Sequence, residues 1–131
     1  MGGVTSRISH TSVDARNSYA QSVWWAQVLD WTEDPDDPNL PEHEECLILS
    51  RDRAQQLLFI RVPDDKVVKN RLHLDLRLTD PTLDREARAA AQVAEAERLT
   101  GLGAALVGEQ SGMGDRWIVM TDPAGNEFCI T

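Results

Sequence analysis

The chain is short of basic residues: 13 lysines and arginines stand against 22 aspartates and glutamates, a formal charge of −9. A phosphate backbone is held by clustered Lys and Arg, so nucleic acid is not an expected partner. An anionic membrane surface is disfavoured for the same reason. Long apolar runs are missing as well. None approaches the ~20 residues of a membrane span, and Met1-Gly-Gly-Val-Thr5 has no apolar signal core. Cysteine is sparse, and Cys46 and Cys129 both sit in apolar, strand-like runs. Without a signal they read as buried thiols rather than a disulfide, and cytoplasmic residence is the default expectation. What is present is 41% hydrophobic residues, with charges of both signs spread along 131 positions. That suits one folded domain of ordinary size, residues 1–131.

The most informative stretch is the last one. Asp115-Arg-Trp-Ile-Val-Met-Thr121 reads as a strand and Asp122-Pro-Ala-Gly-Asn126 as a tight turn. Proline there fixes φ and glycine permits φ > 0. A second strand follows, in which Glu127 leads into the apolar run Phe128-Cys-Ile130. A carboxylate in such a strand needs a partner, a metal or a wet cavity.

The chain can be laid on itself. Arg7-Ile-Ser-His10-Thr-Ser-Val13 and Arg71-Leu-His73-Leu-Asp-Leu-Arg-Leu78 both alternate like strands, and a shift of 63 residues lays His10 on His73. A shift of 70 lays the hairpin Leu47–Ile60 on Trp117–Ile130, with Leu57 on Glu127. Each half carries a helix between strand and hairpin. The first is capped by Asn17 and runs through Tyr19, Val23, Trp24 and Leu29. The second has Asp84 and Glu86 in its first turn, where the dipole favours anions, and ends at Gly101 and Gly103. Strands are expected near 6–13, 45–51, 56–62, 71–78, 104–110, 115–121 and 126–130, and helices near 17–29 and 83–101, each within ~2–4 residues. A further strand of the first half falls vaguely around Asp30–Asp34. Glu33–Glu45, with seven acidic residues and three prolines in thirteen, reads as a solvated loop joining two strands, the alternative being a cation-binding or lid loop, and His43 goes with it. Val62–Asn70 reads as the linker, and Asn70 and Asp122 as turn residues.

The resulting order is strand, helix, three strands, twice over. Together with Trp24-Trp-Ala-Gln-Val-Leu-Asp-Trp31, Lys69-Asn-Arg-Leu-His-Leu-Asp-Leu76 and Asp122-Pro-Ala-Gly-Asn-Glu-Phe128, it resembles the vicinal oxygen chelate superfamily over about residues 6–131. Its closest look is to glyoxalase-like domain and bleomycin-resistance-like proteins. The resemblance implies an α+β fold: two βαβββ modules, about 6–62 and 71–131 around a linker at 63–70, forming a curled mixed sheet around a cleft. It also implies a small-molecule ligand and a homodimer.

In the superfamily's metal-binding members, ligands come from the first and last strands of each module. Carried onto this chain, those positions are His10, Leu57, His73 and Glu127. Leucine cannot bind a metal. The remaining His10, His73 and Glu127 match the facial triad of two histidines and a carboxylate, with Fe, Zn, Mn or Ni as the divalent metal. Glu127 would be the catalytic carboxylate. The reaction classes implied are lyase, isomerase or dioxygenase on vicinal-oxygen substrates; the alternative is a metal-free, drug-sequestering binder. His73 also reads as a histidine satisfied by Asp75 without any metal. Arg71, Asp75 and Arg77 share its polar face against three leucines, which nominates them, with Trp117, as substrate contacts. Of the adjacent Trp24 and Trp25, one is expected in the core and one near an exposed edge, where it would feed the dimer.

Overall fold

The computed structural model describes residues 3–131; Met1 and Gly2, the head of the stretch read for a signal, lie outside the described residues. The chain divides into two compact units, one ending at Asp65 and one beginning at Lys66. No helix among the described residues is long and apolar enough to cross a membrane.

Unit one contains β1 (Thr11–Ala15), α1 (Ser18–Leu29), β2 (Glu45–Leu49) and β3 (Gln56–Arg61). The sheet order is β1-β3-β2, with β1 parallel and β2 antiparallel to β3. The Asn17 side-chain oxygen accepts the Ala20 N–H at 3.0 Å and starts α1, as expected of an N-cap. Asp30 ends it in the left-handed region, with φ at 55°. α1 packs on β1, β2 and β3. Cys46, Ile48, Leu57 and Phe59 form the buried side of this sheet.

Three expectations need correction here. Trp24 and Trp25 are both buried, stacked edge to face with ring centroids 5.1 Å apart, so neither supplies an exposed edge. β1 starts at Thr11 rather than near residue 6, because its partner β3 begins at Gln56 and Thr11 already pairs with Leu57. The further strand near Asp30–Asp34 shrinks to a single bridge, Thr32 to Leu49. Pro35, Pro38 and Pro41 follow it and withhold the N–H groups that a longer ladder needs. The acidic loop is nonetheless tied down. Asn39 bonds the backbone of Leu47 twice, through its amide nitrogen and its amide oxygen, and Arg61 donates to the Pro41 carbonyl.

Unit two contains β4 (Leu74–Leu76), α2 (Arg85–Gly101), β5 (Ala105–Gly112), β6 (Asp115–Thr121) and β7 (Glu127–Ile130), in sheet order β4-β7-β6-β5. It is a complete βαβββ module. Asp84 caps α2 by accepting the Ala87 N–H at 2.8 Å. Gln92, Ala96 and Leu99 are buried on the helix, and Ile118, Met120, Phe128 and Ile130 on the sheet. These four sheet residues share a face, since Ile118 pairs with Ile130 and Met120 with Phe128. β4 is shorter than the expected 71–78: only Leu74, Asp75 and Leu76 pair with β7, a four-residue strand, against Phe128, Cys129 and Ile130.

Candidate functional site

Alternation fixes what lies on the other face of the unit-two sheet. Parallel strands β4 and β7 pair Leu74 with Phe128, Asp75 with Cys129 and Leu76 with Ile130. The leucines, Phe128 and Ile130 therefore take the helix side. His73, Asp75, Glu127 and Cys129 take the open side, joined across β6 by Trp117, Val119 and Thr121. Trp117 is half-buried there, its ring 3.6 Å from where a β-carbon on Gly112 would stand.

Glu127 is firmly held. The Asn70 N–H donates to Oε2 at 2.9 Å, and Lys66 Nζ lies 3.2 Å from Oε1. The side chains of Lys66 and Glu127 are each only 20% exposed, so this pair is screened less than a surface one. The Asn70 N–H, helped by Lys66, holds the Glu127 carboxyl below its ordinary value, while burial opposes it. The turn before it is built to deliver this position. Asp122 accepts from the Ala124 and Asn126 backbone N–H groups and from the Asn126 amide, and Gly125 sits at φ 89°. Asn70 is thus more than a turn residue: its backbone and its amide both reach Glu127. Lys66 and Asn70 belong to the linker; Asn70 stands in the Lys69–Leu76 stretch that carries the family likeness, but Lys66 lies outside every quoted motif. The one sequence signal pointing to them is that a buried-strand carboxylate must find a partner.

His73 and Asp75 are exposed, with His73 Nδ1 2.8 Å from Asp75 Oδ1. Cys129 is buried beside them. Burial pushes its thiol up, as do the charge of Asp75 and a hydrogen bond to it; Lys69 acts the other way. Arg71 and Arg77 are exposed, lie outside β4, and make no side-chain hydrogen bond or ion pair among the described residues.

In unit one, His10 is exposed one residue ahead of β1, its Nδ1 3.0 Å from Ser9 Oγ. Thr11 pairs with Leu57 as Leu74 pairs with Phe128, so the register matches His10 to His73. The same register overturns the place given to Leu57. Leu57 corresponds to Phe128, lies in the core at 4% exposure, and is not the counterpart of Glu127. That counterpart is Gln56. Both hairpins close on equivalent pairs, Leu49–Gln56 and Thr121–Glu127, but the first turn takes residues 50–55 and the second only 122–126. The extra residue defeats an alignment made with one offset.

A complete βαβββ unit preceded by a strand-helix-hairpin unit whose register matches it is the order of the vicinal oxygen chelate superfamily, and the family match places the chain there. Within it, the chain belongs to the glyoxalase-like domain family, which matches residues 10–131. No curated protein matches the chain by sequence. Among solved structures it is similar to the fosfomycin resistance protein FosX from Mesorhizobium loti, with a TM-score of 0.66 and 18% identity over 97% of this chain and 91% of that one. FosX from Listeria monocytogenes gives 0.70 and 12% over 97% and 91%. A glyoxalase/bleomycin resistance protein from a Streptomyces species gives 0.53 and 16% over 94% and 99%. A mutant of the Listeria protein has been solved with Mn(II) and 1S,2S-dihydroxypropylphosphonic acid. At these identities the likeness carries the fold.

Proposed function

We propose that the chain is a small-molecule protein of the glyoxalase-like type that uses a divalent metal on the open face of unit two, with a lyase, isomerase or dioxygenase reaction on a vicinal-oxygen substrate. The observation that carries this reading is the adjacency of His73 and Glu127. Each stands one residue ahead of the Leu74–Phe128 pair, His73 just before β4 and Glu127 at the head of β7, so the parallel register brings them to the same end of neighbouring strands. The donor set fits such an ion. Glu127 is held ionised. His73 Nδ1 is engaged by Asp75, the outer carboxylate that commonly orients a metal-bound imidazole and leaves its other nitrogen available. His10 joins the set on its sequence position, as the counterpart of His73. The bound metal would act as a Lewis acid on the substrate's oxygens.

The chain's own residues would do the rest. Asp75 fixes the tautomer and ring direction of His73. Trp117 offers a flat apolar wall. Arg71 and Arg77 supply exposed cations for an anionic substrate, the class to which the phosphonate of the Listeria protein belongs. A homodimer is part of the proposal, drawn from the family. The experiment is titration of chelator-treated protein with Mn²⁺, Zn²⁺, Ni²⁺ and Fe²⁺. Stoichiometric binding that falls at least ~10-fold in Glu127→Ala and His73→Ala supports the reading; no binding by any of the four defeats it.

One contact favours a second reading. Lys66 already balances the charge of Glu127. A metal-free binder of the bleomycin-resistance type would need no other cation there, and the net charge of −9 suits cationic drugs.

A further inference from the structure

The open face of unit two carries a group of donors that the proposed function uses only in part. His73 and Asp75 lie two residues apart on one edge of the sheet, and Asp75 pairs directly with Cys129 on β7. One ligand atom from each of the three lies within 4.8 Å of the others, the one such group of histidine, cysteine and carboxylate among the described residues. We propose that His73, Asp75 and Cys129 form a binding site for a borderline divalent ion of the Zn²⁺ kind, with the Cys129 thiolate as a ligand.

Three features of the site support this. The first is geometry. Bonds of ~2.0–2.3 Å around a tetrahedral ion set its ligand atoms ~3.3–3.8 Å apart. The three atoms already lie near that spacing, and the pairing of Asp75 with Cys129 fixes two of the three Cα positions, with His73 one residue ahead of β4. The second is charge. A thiolate, a carboxylate and a neutral imidazole neutralise a dication. Asp75 has no lysine or arginine bonded to it among the described residues; its ion-pair partner is His73. Glu127, by contrast, is already matched by Lys66. The third is softness. Thiolate with imidazole selects Zn²⁺ or Co²⁺ over Mn²⁺ and Mg²⁺, which prefer all-oxygen shells. Three protein ligands leave the fourth tetrahedral position to water or substrate. On binding, the Cys129 thiol loses its proton to solvent and the sulfur lone pair becomes the metal bond.

This site is distinct from the one proposed above. It takes Asp75 and Cys129 as ligands in place of His10 and Glu127; the two share His73, and Asp75 changes from orienting that histidine to binding the ion itself. The test is titration of the intact, chelator-treated chain with Co²⁺, followed by near-ultraviolet absorption, where thiolate-to-cobalt charge transfer is seen and nitrogen or oxygen ligation is silent. The expected result is a band saturating at about one Co²⁺ per chain and erased by Zn²⁺. It should persist in Cys46→Ala and Glu127→Gln and vanish in Cys129→Ala, while Asp75→Asn should weaken Co²⁺ at least ~10-fold. Wild-type protein that binds Co²⁺ without the band, or binds none, overturns the proposal. So does a band that survives Cys129→Ala or is lost in Glu127→Gln. The wild-type band needs no variant, so a variant that fails to fold does not protect the idea. Mn²⁺ binding, read by electron paramagnetic resonance, separates the two sites. Mn²⁺ bound with no cobalt–thiolate band sinks this inference alone; a cobalt–thiolate band with divalent metal binding unchanged in Glu127→Ala sinks the metal in the proposed function alone.

Discussion

Glu127 concentrates the residue-scale physics. Its folded pKa lies below the ordinary 4.5. The stabilisation from its charged form is therefore complete above that value and is lost as pH falls through the lowered one. Glu127→Gln cannot titrate, so its denaturant midpoint should drop less than wild type between about pH 7 and about pH 3; equal drops would show that the clamp contributes nothing. Gln56 gives the complementary prediction. As the half-buried head of β3, Gln56 should accept Gln56→Glu with unit one still folded, whereas Leu57→Glu should unfold unit one by burying a charge in the core. Circular dichroism during chemical denaturation separates the two results.

At the scale of elements, much of the chain was readable in advance, for a physical reason. α1, α2, β2, β3 and β6 have strong periodicity and explicit caps or turns, and these local signals agree with the final packing. Asp84→Ala should cost ~0.5–2 kcal/mol by removing the oxygen that caps α2, measured by chemical denaturation. Gly125→Ala should cost about 1–2 kcal/mol from the left-handed backbone alone. The added β-carbon would meet Lys66 Cγ at 3.8 Å, an ordinary contact. What could not be read were properties of pairing. The length of β1 and β4 depends on how much of β3 and β7 is there to receive them. The choice of Gln56 over Leu57 depends on one extra turn residue. The use of Asn70 and Lys66 as clamps depends on a contact spanning 57 and 61 residues. His10, His73 and Glu127 could be nominated from their strands, but the partners that Glu127 takes could not.

At the scale of the whole molecule, association is the open quantity that solution measurement decides. The buried Trp24 and Trp25 remove one source of an apolar patch, while Val67, Val68 and Leu72 stand exposed in unit two. Multi-angle scattering at micromolar concentration should give about twice the 14.6 kDa chain mass, and Leu72→Asp should lower it if that patch is used. A constant monomer mass would count against the dimer. The Lys66–Glu127 pair has a consequence of another kind. It joins the first residue of unit two to the start of its last strand, and that strand ends about 10 Å further on. The two ends of residues 66–131 are therefore near neighbours, and a few glycines could span them. Cutting instead at the exposed Met113 turn would give a reordered chain that keeps every strand pair except the tip of one hairpin. Retained helical circular dichroism and a cooperative melt in that permuted unit would mean that its architecture rests on contacts rather than on the order in which the chain supplies them.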